Sequence, residues 1–579
     1  MSTEYTNPYG VSSFKNFNKL NRAFVDKTEF INVIDKLDTP YPVLLRPRRF
    51  GKTTFVQMLD CFYDISYKDD YDEIFKGTKI IEKNLPSHNT YHVIDFEFSN
   101  ISGKTSEQLV ESFSKNVLNS IKLFLDKYKE VDFDVEQHRK DPPGDLIDAF
   151  FTSCKIAFKG NQDLYVIIDE YDNFANEILS KNRDLFKAIT NADGFLKAFY
   201  KAIKKHTNTV VAKTFITGVS SVSLDSLTSG FNIAENVTCD PKLNEFAGFT
   251  KDELIGLIEK LVDTKALNTT AENIAEIMRQ AYNGYAFCPK AKHTLFNSSM
   301  CLNYIKYINT NQALQNPERV LDPACAFDKS KVADIISFTP KNVLKLVASE
   351  FESTGEIVIS ELAQSINLNQ LDRYDLQTSL SVLYYLGYLT IKNDGIGSRV
   401  CLTYPNKMMK YMFELCFINA LIPKLEDDEN CIFDITSMLR GNPDLKGFID
   451  SVTEYLSLRI TNQHLLGFNE NTIKVLVRAK LEDLKMLSVN TEQKLTVPMV
   501  GEKFADLVVD NQKGTYYLFE FKYFSKVKAQ QHPNILQEKI DEATEQINCY
   551  KKALEFEGKT LYSYIAIFES INCVHFEQV

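Results

Sequence analysis

Residues Leu44-Leu45-Arg46-Pro47-Arg48-Arg49-Phe50-Gly51-Lys52-Thr53-Thr54 decide how this chain is read. They follow the apolar run Tyr41 to Leu45 and lead into a stretch with Phe55, Met58, Leu59 and Phe62 at helical spacing. Strand, turn and helix in that order place backbone N–H groups at a helix N-terminus, where they form an anion nest. In such a nest Lys52 reaches the outer phosphates and Thr53 serves Mg²⁺. The upstream half departs from the pattern. GxxxxGK(S/T) asks for glycine at position 46, and this chain has Arg46, with Arg48 and Arg49 close behind. On Gly51-Lys52-Thr53 alone, a solvated basic loop is the simpler reading.

A second stretch tips the balance. Leu164 to Asp169 (LYVIID) is an apolar, strand-like run that ends in Asp169-Glu170. A carboxylate pair at the C-terminal end of a strand can hold a Mg²⁺ shell through Asp169 and orient an attacking water through Glu170. Two such strand ends in one α/β layer make a nucleotide site the favoured reading. A further run, Lys213 to Val219, is expected to set Thr217 between the two loops as a sensor of the γ-phosphate, or as an ordinary strand threonine.

Around these motifs, Tyr91 to Phe98 reads as another strand, and Val110, Phe113, Val117, Ile121 and Phe124 recur at helical spacing behind a Thr105/Gln108 capping box. The first 250 residues thus alternate strands with amphipathic helices, as an α/β sheet domain does. From about 251 to 440 the pattern is mostly helical. It is broken by Tyr385 to Pro405, two apolar runs around Asn393-Asp394-Gly395, which predict a hairpin. The remainder returns to a mixed α/β pattern.

Bulk properties narrow the classes. A chain of 579 residues, 44% hydrophobic and 25% charged, suits several soluble globular domains. Its net charge of −11 removes general attraction to polyanions, so any nucleic-acid site must be local. The 11 cysteines show no CxxC spacing and read as reduced residues of a cytoplasmic protein. The polar N-terminus lacks a secretory signal, and no apolar run is long enough to span a membrane.

Near the C-terminus, KFADLVVD and TYYLFEFKYF are strand-like runs joined by Asn511-Gln512-Lys513-Gly514. Residue 513 is the midpoint of 506 and 520, so antiparallel pairing sets Asp506 beside Glu520. Glu520 and Lys522 share a face, while Phe519 and Phe521 point the other way into a core. Two carboxylates can hold Mg²⁺ against a phosphate, and the lysine can stabilise charge or help activate water. The competing reading is a surface hairpin with a Glu520–Lys522 ion pair. A helical stripe of Ile540, Ala543, Ile547, Tyr550 and Leu554 follows and carries Gln546.

FVDKTEFI, LLRPRRFGKTT, VIIDEYDNF, FITGVSSVSLDSLTSGFNIA and YNGYAF together resemble the AAA-ATPase-like P-loop family, which is commonly fused to a PD-(D/E)XK nuclease-superfamily domain. FADLVV and FEFK resemble the two halves of that nuclease signature, with Ala505 where proline is usual. The resemblance implies an α/β protein: a P-loop NTPase sheet domain over 1–250, a helical lid over 251–330, a winged-helix-like region over 331–425 and a restriction-endonuclease-like domain over 435–579. It makes the arginine-bearing loop a normal form of the phosphate loop. ATP would contact Arg46, Arg48, Arg49, Gly51, Lys52, Thr53, Thr54, Asp169 and Thr217, although each arginine either touches phosphate or pairs with an acidic neighbour. Asp26, Lys27 and Thr28 would lie near the base or ribose, and Tyr285 and Phe287 in the lid core. Thr53 and Asp169 would hold one metal, Asp506 and Glu520 another, as Mg²⁺ or Mn²⁺. Catalysis would fall to Glu170, Asp506, Glu520, Lys522 and Gln546, the last matching a glutamine often found beside such sites. The implied partners are nucleic acid, DNA ahead of RNA, and further copies of the chain, with no membrane. Two functions compete: an ATP-gated nuclease of defence, mobile-element or toxin biology, and a nucleotide-switched binding protein that does not cleave. Residues 501–579 carry 9 lysines, no arginine and 12 acidic residues, a net of −3 that favours the second.

Overall fold

The phosphate-loop candidate is fed by β1 (Pro42–Leu45), a strand buried at every position. A computed structural model describes the chain apart from residues 1–4, 12, 174–193, 222–229, 318–319, 321–349, 352–353, 364–375, 393–398, 411, 414–437, 439–440, 442–443, 460–468 and 483–486. It divides into two compact units: Met1–Val343 with Glu350–Lys410, and Tyr411–Val579 with Leu344–Ser349.

In the first unit the numbered helices are α1 (Lys52–Tyr63), α2 (Ser106–Lys127), α3 (Pro143–Ala157), α4 (Phe195–His206), α5 (Lys251–Leu261), α6 (Ala271–Tyr282), α7 (Ser298–Asn311) and α8 (Leu376–Tyr385); shorter helical turns are left unnumbered. Strands β2 (His92–Glu97), β3 (Leu164–Asp169), β4 (Val211–Gly218) and β5 (Glu235–Asn236) join β1 in a parallel sheet of order β2-β3-β4-β1-β5. Strand β3 is buried throughout, as expected of a parallel sheet covered on both faces. Because β4 lies between β1 and β3, the loops that follow β1 and β3 flank the end of β4. The α1 face bearing Phe55, Met58, Leu59 and Phe62 is buried, each such side chain contributing roughly 1.5–3 kcal/mol.

The α2 stripe differs slightly from its sequence reading. Phe113, Val117, Ile121 and Phe124 are buried, but Leu109 occupies the first position and Val110 is half-buried. Only half of the expected capping box forms. Thr105 accepts from the Gln108 N–H at 3.3 Å, while the Gln108 amide oxygen takes the Lys104 N–H at 2.9 Å instead of reaching back to residue 105.

Beyond the sheet, the Asn283–Phe287 segment packs directly on the loop after β1. Phe50 meets Tyr285 and Phe287 edge-on, with centroids 4.8 and 5.4 Å away, so both aromatics are core residues, as expected. Gly284 has φ +101°, and a Cβ there would lie 1.7 Å from the Pro405 carbonyl oxygen, so only glycine fits. The adjacent Asn406 side chain donates to the Asn283 carbonyl at 2.7 Å. Strands β6 (Glu356–Ile359), β7 (Thr390–Ile391) and β8 (Val400–Thr403) form an antiparallel sheet of order β6-β8-β7. The two arms expected around Asn393-Asp394-Gly395 are therefore paired, and the turn itself lies outside the described residues, as does most of the winged-helix-like region.

The second unit holds α9 (Lys446–Arg459), α10 (Glu470–Glu482), β9 (Ser488–Val497), β10 (Gly501–Asp510), β11 (Thr515–Phe524), α11 (Ile535–Tyr550), β12 (Thr560–Glu569) and β13 (Asn572–Gln578). Its sheet has the order β13-β12-β11-β10-β9, antiparallel except for the parallel β11–β12 pair. One core cluster unites Leu507, Tyr517, Phe519 and Phe521 with Phe448, Ile473 and Leu476 of α9 and α10. Elsewhere Ala543 and Ile547 of α11 pack on Ile565 and Ile567 of β12. Leu554, placed on the α11 stripe by its spacing, lies past the helix end and is 53% exposed.

Candidate functional sites

At the nucleotide-site candidate, Gly51 adopts φ +91° and serves as N-cap of α1, which turns the chain sharply between strand and helix. Lys52 is buried beneath this turn and donates to the Arg46 and Pro47 carbonyls at 3.0 and 3.1 Å. Burial pulls its pKa down, against the opposing pull of Asp169, Glu170 and Asp172. The loop borders a cleft of about 490 Å³ lined by Arg48, Arg49, Gly51, Lys52, Thr53, Thr54 and Glu170, with Phe17, Phe24, Leu257 and Leu302 supplying apolar wall. That volume suits a small-molecule ligand. At one edge Arg49, itself at φ +69°, accepts at its carbonyl from the Ser298 hydroxyl at 2.9 Å and the Ser299 N–H at 3.1 Å. The N-terminus of α7 is thereby tied to the loop.

The arginines separate into different roles. Arg48 donates to the Asn173 side chain, and Arg49 is exposed at the cleft. Arg46, expected among the phosphate contacts, is instead buried and turned away from the cleft lining. Its guanidinium donates to the carbonyls of Leu45 (2.8 Å), Thr238 (2.9 Å) and Leu243 (2.6 Å) and stacks over Phe246 and Phe287 at 4.9 and 4.3 Å. Burial lowers its pKa to about 10. Arg46 therefore replaces the missing glycine with a side chain that braces the loop from behind.

Asp169 is buried, and its pKa is raised to about 6 by that burial, against the pull of Lys52 and of the Thr53 hydroxyl that hydrogen-bonds it. Among the described residues its Oδ2 has no hydrogen-bond partner. A carboxylate oxygen left bare beside a hydroxyl fits an oxygen-seeking Mg²⁺ shell, so the residues present suit the expected metal. Glu170 takes φ +52°, a strained conformation for a non-glycine residue, and lines the cleft. Thr217 sits in the expected strand position but gives its hydroxyl to the Leu44 carbonyl at 2.6 Å and is absent from the cleft lining. Asp172, which sequence reasoning missed, accepts from the Val219 and Ser220 N–H groups at 3.0 and 2.7 Å and so holds the two residues that follow β4. Asp26 caps its own turn by accepting from Thr28, and Lys27 lines the cleft while paired to Glu253 at 2.7 Å.

In the second unit, pairing of Leu507 with Phe519 brings Asp506 level with Glu520, and Asn511 closes the turn by accepting from Lys513 and Thr515. The hairpin is not superficial, since β11 is the central strand and Glu520 is only 2% exposed. The ion pair of the competing reading is nevertheless present. Lys522 Nζ lies 2.6 Å from Glu520 Oε1. Asp506 Oδ2 accepts the Phe521 N–H at 2.9 Å. Burial, then Asp506, raises the Glu520 pKa to about 7, against the pull of Lys522 and Lys474. Glu520 Oε2 and Gln546 Oε1 are buried without partners among the described residues. Those bare oxygens fit a divalent cation with its water, although no group of three or more His, Cys, Asp or Glu side chains among the described residues is arranged to hold a metal. Sequence reasoning also missed α10, whose Lys474 reaches Asp506 at 2.5 Å and Glu470 at 3.1 Å.

One unit thus carries a parallel α/β sheet with a Gly-Lys-Thr turn leading into a helix, and the other a hairpin of two buried carboxylates and a lysine. Family models agree: residues 8–228 match one described as a predicted AAA-ATPase, AAA-ATPase-like, and residues 469–578 match the PD-(D/E)XK nuclease superfamily. The chain joins an AAA-ATPase-like domain to a PD-(D/E)XK nuclease-superfamily domain. It is also 22% identical over 442 residues to an uncharacterized protein in the vnfD 5' region of Azotobacter chroococcum mcd 1, covering 72% of this chain and 70% of that protein. Among the described residues no helix is long and apolar enough to cross a membrane, and all the described cysteines are free.

Proposed function

We propose that the cleft beside Lys52 binds ATP with Mg²⁺, and that nucleotide state governs a metal-dependent phosphodiesterase built on Asp506, Glu520 and Lys522. The observation that carries the nuclease reading is the pairing of β10 with β11, which sets two buried carboxylates level with each other, with a buried lysine two residues further along β11. At the cleft, Lys52 exchanges its two carbonyl partners for the outer phosphates, and Arg48 and Arg49 add charge at the rim. Thr53 and Asp169 would hold Mg²⁺, and Glu170 orients the attacking water. In the second unit Asp506 and Glu520 would hold Mg²⁺ or Mn²⁺. When bound there, the metal polarises a phosphoryl oxygen and lowers the pKa of a water. Lys522 offsets the charge of Glu520 and donates to a phosphate oxygen, and Gln546 accepts from water. The substrate is nucleic acid, DNA ahead of RNA, in defence, mobile-element or toxin biology. The domain limits at 250, 330 and 425–435, and assembly with further copies, belong to the same proposal.

The test incubates the full chain with plasmid, linear and single-stranded DNA and RNA, with Mg²⁺ or Mn²⁺, with and without ATP. Asp506→Ala and Lys522→Ala should each abolish cleavage while ATP binding persists. Glu170→Gln should bind ATP and hydrolyse it far more slowly. The ion-paired state of both hairpin carboxylates favours the second reading, a nucleotide-switched binding protein. That reading replaces the first if the wild type cuts nothing under any metal and nucleotide condition.

A further inference from the structure

Lys474 contacts the hairpin site directly, and the nuclease reading gives it no task. It projects from α10, its side chain 13% exposed, and its ammonium bridges two carboxylates from different elements, Asp506 of β10 and Glu470 of its own helix. Burial disfavours that ammonium, but Asp506 and Glu470 outweigh the effect and raise its pKa. With Asp506 held by Lys474 and Glu520 by Lys522, the three buried or half-buried carboxylates face two ammonium groups. At the rim Glu542 pairs with Lys539 at 2.6 Å and lies 3.9 Å from Lys522 Nζ, so Lys539 balances its charge. The cluster therefore carries one net negative charge when fully ionised. A divalent cation alone would make it positive, whereas the cation together with a phosphodiester would make it neutral. Charge balance in a poorly solvated site thus favours the two entering together.

We propose that Lys474 is an internal counter-ion that holds Asp506 and Glu470 in place of a divalent cation until an incoming phosphodiester draws the ammonium away. The inference rests on the reading of Asp506 as a metal ligand and adds a dependence of metal loading on nucleic acid. Lysine suits this role because its ammonium is a compact point charge on a flexible stem and can transfer between carboxylate and phosphate without changing its protonation.

The experiment is calorimetric titration of the full chain with MnCl₂, without nucleotide. Asp506→Ala defines which part of the isotherm belongs to this site. Lys474→Met, which keeps most of the side-chain stem, should bind Mn²⁺ at the Asp506-dependent site at least tenfold more tightly than the wild type, and Lys474→Arg should not. Lys539→Met removes an equal charge from the rim, so the same tightening there would reduce the effect to general electrostatics and overturn the proposal. A second measurement needs no variant at Lys474: adding a phosphorothioate DNA duplex should tighten Mn²⁺ binding by the wild type. An Asp506-dependent site whose affinity is unchanged by Lys474→Met, or by the duplex, overturns the counter-ion role alone. Absence of any Asp506-dependent Mn²⁺ binding in every protein overturns the metal-site reading along with it.

Discussion

Replacing Arg46 by methionine separates a loop brace from a phosphate ligand, two roles that the basic loop sequence leaves equivalent. The substitution retains most of the stem and deletes three hydrogen bonds from a charged donor to the Leu45, Thr238 and Leu243 carbonyls. Bonds to charged groups contribute about 1.5–3 kcal/mol each, and the deserted carbonyls stay buried. Stacking on Phe246 and Phe287 adds about 1–2 kcal/mol. Against this, the variant no longer buries a guanidinium, which relieves a desolvation cost of several kcal/mol. The balance is a loss of about 3–5 kcal/mol, the usual scale for breaking a buried charged network. That is a large share of the 5–15 kcal/mol that typically holds a domain folded. The chain has no tryptophan, so circular dichroism during urea unfolding of the full chain is the suitable assay. Arg46→Met should unfold its unit at clearly lower urea, with Arg46→Lys recovering part of the loss. Arg48→Ala and Arg49→Ala should stay within about 1 kcal/mol of the wild type, as substitutions at half-buried and exposed positions usually do. An Arg46→Met protein with wild-type stability but tenfold weaker ATP binding would refute the bracing role and restore Arg46 to the phosphate site.

Other consequences are open to direct measurement. Lys52→Ala should weaken ATP binding tenfold or more in calorimetry with Mg²⁺, about 1.4 kcal/mol, and equal affinities would remove the site. Gly284→Ala should lower the melting temperature markedly, because a Cβ would collide with the Pro405 carbonyl oxygen; an unchanged melting point would contradict that contact. Asp60 of α1, buried beside Lys127 and Asp64, has its pKa raised to about 6, with burial as the main cause. The folded state thus keeps a proton that the unfolded chain releases near 4, so this contribution to stability is present below about pH 4 and lost as pH rises through 6. Asp60→Asn should flatten the fall in melting temperature between pH 4 and 7, and an unaltered profile would show that another group carries it.

Much of this architecture is determined locally and is legible without any structure. The run Leu164–Asp169 coincides with β3 because six apolar or strand-ending residues admit no other period, and the Asp506–Glu520 pairing follows from a register centred on Lys513, inside the turn. Gly51, Lys52 and Thr53 needed only the strand before them and the helix after them. Side-chain destinations were another matter. Arg46 is turned inward by carbonyls 192 and 197 positions along the chain, and no local pattern records that they lie behind the loop. Thr217 spends its hydroxyl on Leu44 because β4 pairs with β1, a neighbour relation that spacing does not reveal. Lys474 meets Asp506 across 32 residues only because α10 packs on the hairpin's sheet, while its i,i+4 partner Glu470 makes it look like an ordinary helix-surface lysine. Periods of 2 and 3.6 specify which face a residue occupies, and the tertiary structure alone decides which distant charge or carbonyl waits on that face.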